Sequence, residues 1–317
     1  MPHDLIVLGD LVADLVVPVE RLPIRPNQHG WAEGIFVEPG GAGNILVAAR
    51  RVNLAVATLG SIGADHYGAE MLAMLRAEGV DVDHVVVDPS RQTVLCMVLS
   101  DRVGQHVYLG IKDGYGRWPY PAPWDAIIQA TRALFTDGYT LRDVLLPDDF
   151  LAALAAARRA DVPIFFDPGP SVAFVSRELC LAALAATDVL LLTDEEAALL
   201  DVTGTGVEVA RALLAFGPSV VVLKHGPNGC TVVTTGGETI SHPGFKVAVV
   251  DTVGAGDSFA AAFIAGYLRG GNWAACATLA NAMGALTTTQ RGAGTRIPAR
   301  EALWELLSDE PVARALA

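Results

Sequence analysis

The segment Asp251-Thr-Val-Gly-Ala-Gly-Asp257 leads directly into the apolar run Ser258-Phe-Ala-Ala-Ala-Phe-Ile-Ala-Gly-Tyr-Leu268. Its two glycines permit positive φ, so successive amide N–H groups can converge on an anion. The apolar run predicts a helix whose N-terminus attracts negative charge. Asp257 then lies where a carboxylate can take a proton from a hydroxyl beside a bound phosphate, which favours phosphoryl transfer. A glycine turn capped by an aspartate has the same residues, so the motif needs support from elsewhere in the chain.

Two further glycine motifs lie near the start of the chain. Pro39-Gly-Gly-Ala-Gly-Asn44 precedes the amphipathic segment 45–52, and Thr58-Leu-Gly-Ser-Ile-Gly-Ala-Asp65-His-Tyr-Gly68 follows it. Together with the Asp251–Asp257 motif, and in that order, they resemble the ribokinase-like (PfkB) carbohydrate kinases. The resemblance runs from about Leu5 to about Pro298, nearly the whole chain. It implies an ATP-dependent kinase that transfers the γ-phosphoryl group to a sugar hydroxyl.

The composition fits a large globular protein that binds neither nucleic acid nor membranes. The chain has 317 residues, 52% of them hydrophobic, enough for a large buried core. Its 35 acidic and 22 basic residues give a net charge of −13, which disfavours binding to nucleic acid or anionic lipid. The four cysteines show no CxxC spacing, so we expect reduced thiols and a cytoplasmic location. The apolar opening 5–17 is interrupted by Asp10 and Asp14, which predicts a buried strand and not a membrane span.

Short β-rich runs alternate with helical ones along most of the chain. This alternation predicts an α/β fold with a mainly parallel central sheet flanked by helices on both faces. Ligands of such sheets bind beyond the carboxyl ends of the strands. Residues that directly follow apolar runs should therefore lie near one rim of the sheet. These residues are Asp10, Asp137, Asp167, Lys224 and Asp251.

Two stretches, 14–38 and 91–112, depart from this alternation. Each contains extended, partly alternating runs, such as Thr93-Val-Leu-Cys-Met-Val-Leu99, and no helical run separates the extended runs within a stretch. We predict that they form a small β-sheet lid from two insertions. Residues 1–13, 39–90 and 113–317 would then form the core domain with the ATP and phosphoryl-transfer site. The resemblance implies that the lid covers the sugar and joins two chains, so a homodimer through the lid is expected.

The resemblance also implies roles for individual residues. Asp257 corresponds to the catalytic base, and Gly254, Ala255 and Gly256 correspond to the anion hole for the transferred phosphoryl group. Besides Asp257, the expected acceptor-binding residues are Asp10, Asp14, Gly40, Gly41 and Asn44. The expected ATP-binding residues are Lys224, Gly226, Gly229, Thr252, Gly254, Gly256 and Asn281. Ordinary turns and caps would also explain the glycines and Asn44, and a solvated strand-end lysine would explain Lys224.

Metal ions are implied at two places. Thr193-Asp-Glu-Glu196 stands where the family has Asn-x-x-Glu, so Glu196 is expected to hold Mg²⁺ through water, while Thr193 offers a weaker phosphate contact. The loop Arg291-Gly-Ala-Gly-Thr-Arg296 resembles one that holds a monovalent cation, which implies activation by potassium. The residues expected at that cation are Asp251, Val253, Gly292 and Arg296. A glycine loop that only closes over the anion hole is the alternative.

The sequence leaves the acceptor open. The family's acceptors include ribose, fructose, keto-deoxy sugar acids, phosphorylated hexoses and nucleosides. Specificity should lie in the lid residues Arg25, His29, Trp31, Tyr108, Lys112 and Tyr115. We find no clear basic cluster for a phosphosugar, so an unphosphorylated sugar is favoured.

Three other functions are alternatives to a sugar kinase. A nucleoside kinase is the main alternative, because Trp31, Phe36 and Tyr108 could stack on a base. A non-catalytic sugar or nucleotide sensor on the same fold is another. A nicotinamide dehydrogenase is disfavoured because neither glycine turn has the G-x-G-x-x-G spacing after the first strand.

Overall fold

The structure is a computed structural model that describes residues 3–27, 29–111 and 116–317. Two predicted specificity residues, Lys112 and Tyr115, lie outside these ranges. The described residues form an eight-stranded central sheet, a four-stranded small sheet and a two-stranded ribbon. The strands are β1 (Leu5–Leu8), β2 (Leu11–Pro18), β3 (Phe36–Gly41), β4 (Val56–Leu59), β5 (Ser61–Gly63), β6 (Val86–Asp88), β7 (Val94–Ser100), β8 (His106–Ile111), β9 (Leu134–Asp137), β10 (Ile164–Asp167), β11 (Val189–Thr193), β12 (Val220–Lys224), β13 (Cys230–Thr234) and β14 (Thr239–His242).

The central sheet has the strand order β14-β13-β12-β11-β10-β9-β1-β4. The six strands from β12 to β4 in that order are parallel, whereas β13 and β14 add an antiparallel edge. The parallel strands are almost continuously apolar, as expected for a sheet that is covered on both faces. The prediction of a mainly parallel central sheet is confirmed.

Helices cover both faces of this sheet. Because successive strand residues point to opposite faces, Leu5 and Val7 pack on one side and Ile6 and Leu8 on the other. None of the helices within the described ranges is long and apolar enough to cross a membrane. The face that buries Leu5 is covered by α1 (Ala42–Arg51), α2 (His66–Ala77), α8 (Ala255–Leu268), α9 (Trp273–Thr287), α10 (Arg300–Leu306) and α11 (Pro311–Ala315). The opposite face is covered by α3 (Pro123–Gln129), α4 (Pro147–Arg159), α5 (Arg177–Ala186), α6 (Asp194–Leu199) and α7 (Gly206–Leu214).

The small sheet has the order β3-β2-β7-β8. The register places Asp14 between Glu38 and Cys96, and Val98 beside Tyr108, so these side chains share one face, here called the inner face. The outer face carries the alternate residues. The strands begin before and end after the predicted insertion 14–38, since β2 starts at Leu11 and β3 ends at Gly41.

The apolar opening of the chain differs from its prediction as one strand. Residues 5–8 enter the central sheet as β1, the chain turns at Gly9 and Asp10, and the next residues enter the small sheet as β2. A Cβ at Gly9 would lie 2.5 Å from the Ala42 Cβ, so this turn packs directly on the start of α1. Hydrophobicity alone does not show where a chain leaves one sheet for another. The turn places Asp10 at the carboxyl end of the central sheet.

Candidate active site

Acidic side chains and one lysine lie together at the carboxyl ends of neighbouring parallel strands. Asp137 and Asp167 face each other at the ends of β9 and β10, and Lys224 ends β12. The Lys224 Nζ donates to Asp167 Oδ2 at 2.6 Å. Burial alone would lower the pKa of Lys224, but the carboxylates of Asp167 and Glu196 raise it, so Lys224 is held as a cation.

Asp257 lies in the first turn of α8, beside this ion pair. The helix begins after Gly254, whose φ of 72° is left-handed and whose place a side chain could not take without meeting Ala293. A Cβ at Gly256 would lie 3.8 Å from Lys224 Nζ, so the lysine points at the amides of this turn. The Ala255 N–H donates to the Thr252 oxygen at 3.3 Å, so the turn presents the N–H groups of Gly254 and Gly256, a helix N-terminus and a cation to the same point.

The pKa of Asp257 is raised to about 7. The first cause is partial removal from water and the second is the charge of Asp167, while Lys224 and a hydrogen bond from the Asn44 side chain oppose the rise. A carboxylate with a pKa near neutrality is well matched to general-base chemistry.

The predicted acceptor residues converge on the other side of Asp257. Asp14 on β2 lies directly over Gly40 on β3: a Cβ there would be 2.2 Å from the Asp14 carboxyl group, so only glycine leaves the carboxylate room. Gly41 has a φ of 53°, and a Cβ there would lie 2.4 Å from the backbone oxygen of Asp10. Burial raises the pKa of Asp14 to about 7, and the charges of Asp257 and then Glu38 add to the rise.

Asp10 lies deeper, at the turn between β1 and β2. Burial raises its pKa to about 7, with further contributions from Asp137, Asp143 and Asp14. Burial also raises the pKa of Asp137 to about 6, although hydrogen bonds from Thr140 partly oppose this. The predicted acceptor residues therefore include a concentration of carboxyl groups, which can hydrogen-bond the hydroxyls of a polyol.

A cavity of about 560 Å³ opens on the other side of the Asp257 turn. Its walls are largely apolar, with Phe245, Val247 and Phe259 among them, and its size is typical of a small-molecule site. Six predicted ATP-binding residues line it: Lys224, Gly226, Gly229, Thr252, Gly256 and Asn281. The seventh, Gly254, lies at the N-cap of α8 and forms the turn behind it. The NH₂ group of Asn281 donates to the oxygen of Ala277 and contacts the Cys230 Sγ at 3.1 Å.

The predicted magnesium residue Glu196 is engaged in a helix cap. Thr193 Oγ1 accepts from the Glu196 N–H at 3.2 Å, and the Glu196 carboxylate accepts from the Thr193 N–H at 2.7 Å, which forms a capping box at the start of α6. Burial and the charge of Asp167 raise the pKa of Glu196, against the effect of Lys224. Thr193 lines the 560 Å³ cavity, and its Oγ1 serves the cap.

Three of the four predicted cation residues come together, and the fourth side chain points elsewhere. The buried Asp251 carboxylate accepts from the N–H groups of Val253, at 3.0 Å, and Gly292, at 2.9 Å. Arg296 instead donates to Glu38 Oε1 at 2.9 Å and lies over the Phe36 ring. No cluster of three or more His, Cys, Asp or Glu side chains suited to a metal ion occurs in the described part of the chain.

Glu38 is a site residue that the sequence analysis missed. Its carboxylate accepts from the backbone and hydroxyl of Thr295, at 3.0 and 2.7 Å, and from Arg296. Asn44 Oδ1 likewise accepts from the Gly294 N–H at 3.0 Å. These bonds fasten the 291–296 loop to the segment 38–44, which contains the predicted acceptor residues Gly40 and Gly41. The sequence signal for Glu38 was its position directly before Pro39-Gly-Gly, two residues from Gly40 and therefore on the same face of β3.

The predicted specificity residues divide between the small sheet and a loop. Tyr108 lies on the inner face beside His106, with ring centroids 5.3 Å apart. Arg25, His29 and Trp31 lie between β2 and β3, and Trp31 is 90% exposed and contributes little packing here.

The sequence profile of the pfkB family carbohydrate kinases matches residues 2–300. The chain belongs to this family. The PfkB chain is 33% identical over 302 residues to the ATP-dependent ribose-1-phosphate kinase of Halopiger xanaduensis, covering 95% of this chain and 97% of the relative. It is 27% identical over 308 residues to the ribokinase of Bacillus subtilis, covering 96% of this chain and 100% of the relative.

The fold of this PfkB protein agrees with solved structures. The Arabidopsis thaliana ribokinase complexed with ribose and ATP superposes with a TM-score of 0.83 at 23% identity, covering 97% of this chain and 99% of that one. The ribokinase-like fold is therefore confirmed. Taken with the family match and the named relatives, the protein is a carbohydrate kinase.

Proposed function

We propose that this kinase transfers the γ-phosphoryl group of ATP to a hydroxyl of a small sugar, with Asp257 as general base. The observation that carries this proposal is the position of Asp257 between two sites. Asp14 and Asn44 lie on one side of Asp257, and the 560 Å³ cavity that Lys224 lines lies on the other. A hydroxyl hydrogen-bonded to Asp257 would face a phosphoryl group held at the start of α8.

Different residues would have different roles in phosphoryl transfer. Asp257 takes the hydroxyl proton, and the amides of Gly254, Ala255 and Gly256 with the Lys224 ammonium stabilise the charge on the transferred group. Asp167 holds Lys224 extended toward that point. The 560 Å³ cavity would hold the adenosine part of ATP among apolar walls.

Metal ions fit two places in this scheme. Glu196 is a half-buried carboxylate next to Thr193, which lines the 560 Å³ cavity, so Glu196 could hold through water a Mg²⁺ ion that the phosphates bind and that would lower the charge of ATP. Each carboxylate oxygen of the buried Asp251 accepts one backbone N–H, from Val253 or from Gly292, which leaves lone pairs that suit a monovalent cation such as K⁺. Arg296 is better explained as the partner of Glu38.

The acceptor favoured here is a free sugar of the ribose, fructose or keto-deoxy acid type. The carboxyl groups of Asp10, Asp14 and Asp137 would bind hydroxyls and repel an anionic acceptor, which favours the neutral sugars of this group over a keto-deoxy sugar acid. Ribose 1-phosphate is the second candidate, because the 33% identical relative is named for that substrate. A nucleoside kinase or a non-catalytic sensor remains the alternative for this fold.

The decisive experiment measures ADP release with Mg-ATP, with and without K⁺, across free sugars, sugar acids, ribose 1-phosphate and nucleosides. We expect one acceptor class to give a signal that is lost in Asp257→Asn. Product analysis by NMR then identifies the phosphorylated hydroxyl. Ligand-induced stabilisation without ADP release from any acceptor would instead favour a sensor.

Further proposals concern the whole chain. The small sheet would act as a lid on the core formed by residues 1–13, 39–90 and 113–317. Its outer face would join two copies into a homodimer, since Val107, Leu109 and Ile111 alternate along the edge strand β8 and are 36–47% exposed. All four cysteines carry free thiols, which supports a cytoplasmic location.

A further inference from the structure

The inner face of the small sheet carries two polar groups that the scheme above does not use. Ser100 ends β7 and is 3% exposed, yet its Oγ has no hydrogen-bond partner among the described residues. His106 lies opposite Ser100 in the β7–β8 register, and its buried Nδ1 is also without a partner there. The nearest acid, Asp251, is 3.6 Å from that nitrogen. A buried hydroxyl without a partner is costly, and where it borders an open chamber a bound group can supply the missing hydrogen bond.

Ser100 lines a chamber of about 10 Å³ that adjoins the acceptor residues. Asp14 and Asn44 form one wall, and another is formed by Asp251 and Gly292, two of the residues proposed above for K⁺. This volume suits one water-sized group, so a hydroxyl fits, whereas a phosphate or carboxylate does not. Glu38 also lines the chamber, which makes three carboxyl groups around it, and an anion would be repelled.

We propose that Ser100 is a specificity-determining residue whose Oγ hydrogen-bonds a sugar hydroxyl inserted into this chamber. The proposal rests on the function proposed above and narrows it to neutral, polyhydroxyl acceptors. Asp257 is not part of the chamber wall, so the hydroxyl bound here is not the one that is phosphorylated. A sugar that lacks this hydroxyl, or carries a phosphate on it, is a poorer acceptor.

The test compares wild type with Ser100→Ala, using D-ribose and its monodeoxy analogues. Loss of one neutral hydrogen bond should raise the KM for ribose about 3- to 10-fold, with kcat and the KM for ATP close to wild type. One deoxy analogue should have a KM with wild type that is raised by the same factor, and Ser100→Ala should not raise the KM of that analogue further, because the missing sugar hydroxyl and the missing serine hydroxyl remove the same hydrogen bond. Ser61→Ala is the matched control, because Ser61 Oγ is equally buried and unpaired but lines no part of the chamber.

Calorimetric binding of ribose to both proteins provides a readout that does not depend on turnover. A ribose Kd that weakens with Ser100→Ala supports the proposal even if no ADP is released, in which case only the proposed reaction fails. The proposal would be overturned if the KM and Kd for ribose were unchanged in Ser100→Ala. It would also be overturned if Ser100→Ala shifted the K⁺ activation constant and left the KM and Kd for ribose unchanged. A wild-type preference for ribose 1-phosphate that persists in Ser100→Ala would overturn it too. The absence of binding by ribose or any other sugar of the panel would overturn it as well.

Discussion

Individual carboxyl groups in this kinase differ because of what surrounds them. Asp167 is neutralised by Lys224 at 2.6 Å, whereas Asp257, Asp14 and Asp10 have raised pKa values because they are removed from water near other acids. The lysine thus forms an ion pair with Asp167, whereas the pKa of the neighbouring Asp257 lies near neutrality. This difference supports separate roles for the two residues.

Replacement of Asp257 by asparagine tests the role of the base directly. We expect Asp257→Asn to fold as wild type and to lose roughly 10²- to 10⁴-fold in kcat, the usual contribution of a positioned base. Because the base must be ionised, the wild-type kcat/KM should rise with pH through about 7. Steady-state kinetics from pH 5.5 to 8.5 with circular dichroism as the folding control would check both. Wild-type turnover in the variant would remove Asp257 from the mechanism.

The start of α8 is the element on which the site depends. Gly254 has a φ of 72°, and a Cβ there would lie 2.5 Å from the Ala293 Cβ. Gly270, after the same helix, has nearly the same φ of 73° but open space around it. The two glycines thus separate backbone strain from steric clash.

Gly254→Ala should therefore be more destabilising than Gly270→Ala, and it alone should impair turnover. Strain at positive φ costs about 1 kcal/mol in both variants, and the clash adds roughly 1–3 kcal/mol at Gly254. Urea denaturation gives the stabilities, and the ADP assay gives the activities. Equal losses of stability and activity in the two variants would contradict an anion hole shaped by this contact.

The elements could be predicted from the sequence to different degrees. The parallel strands were predictable because they are continuous apolar runs separated by helical periodicity, and the glycine motifs placed α1 and α8 correctly. The small sheet was predicted to begin at residue 14. Its start at Leu11, directly after the turn at Gly9, was not predictable, because it depends on the close packing of Gly9 against Ala42. Glu38 was missed for a similar reason: its partners Thr295 and Arg296 are far away in the sequence.

At the scale of the whole molecule, the outer face of the small sheet predicts the oligomeric state. Leu109 is 47% exposed on the edge strand β8, whereas Val103 is 80% exposed in the turn before it and lies off that face. We expect wild type to be a dimer by light scattering, Leu109→Glu to be a monomer, and Val103→Glu to remain a dimer. Dimers from both variants would place the interface elsewhere.

The dependence of stability on pH should also have an unusual sign in this protein. Asp10 has a pKa of about 7 when folded, because of burial and then Asp137, against about 4 when unfolded. Between these values the folded state holds more protons than the unfolded state, so the free energy of unfolding falls as pH rises from about 4 to 7 and stays low above it. Asp14 and Asp257 act in the same direction.

Asp10→Asn should therefore stabilise the ligand-free protein at pH 8, by roughly 1–3 kcal/mol, and change it little at pH 5, where the aspartate already carries its proton. Asp65 provides the contrast. Burial tends to raise its pKa, but hydrogen bonds from Gly68 and Thr93 lower it below its usual value, so Asp65→Asn should not increase the free energy of unfolding at pH 8. Urea denaturation of the three proteins at both pH values measures this. Wild-type Asp10 already carries its proton at pH 5, so a charge effect should be absent there. A gain for Asp10→Asn of the same size at pH 5 would therefore mean that packing, and not charge burial, limits stability at this turn.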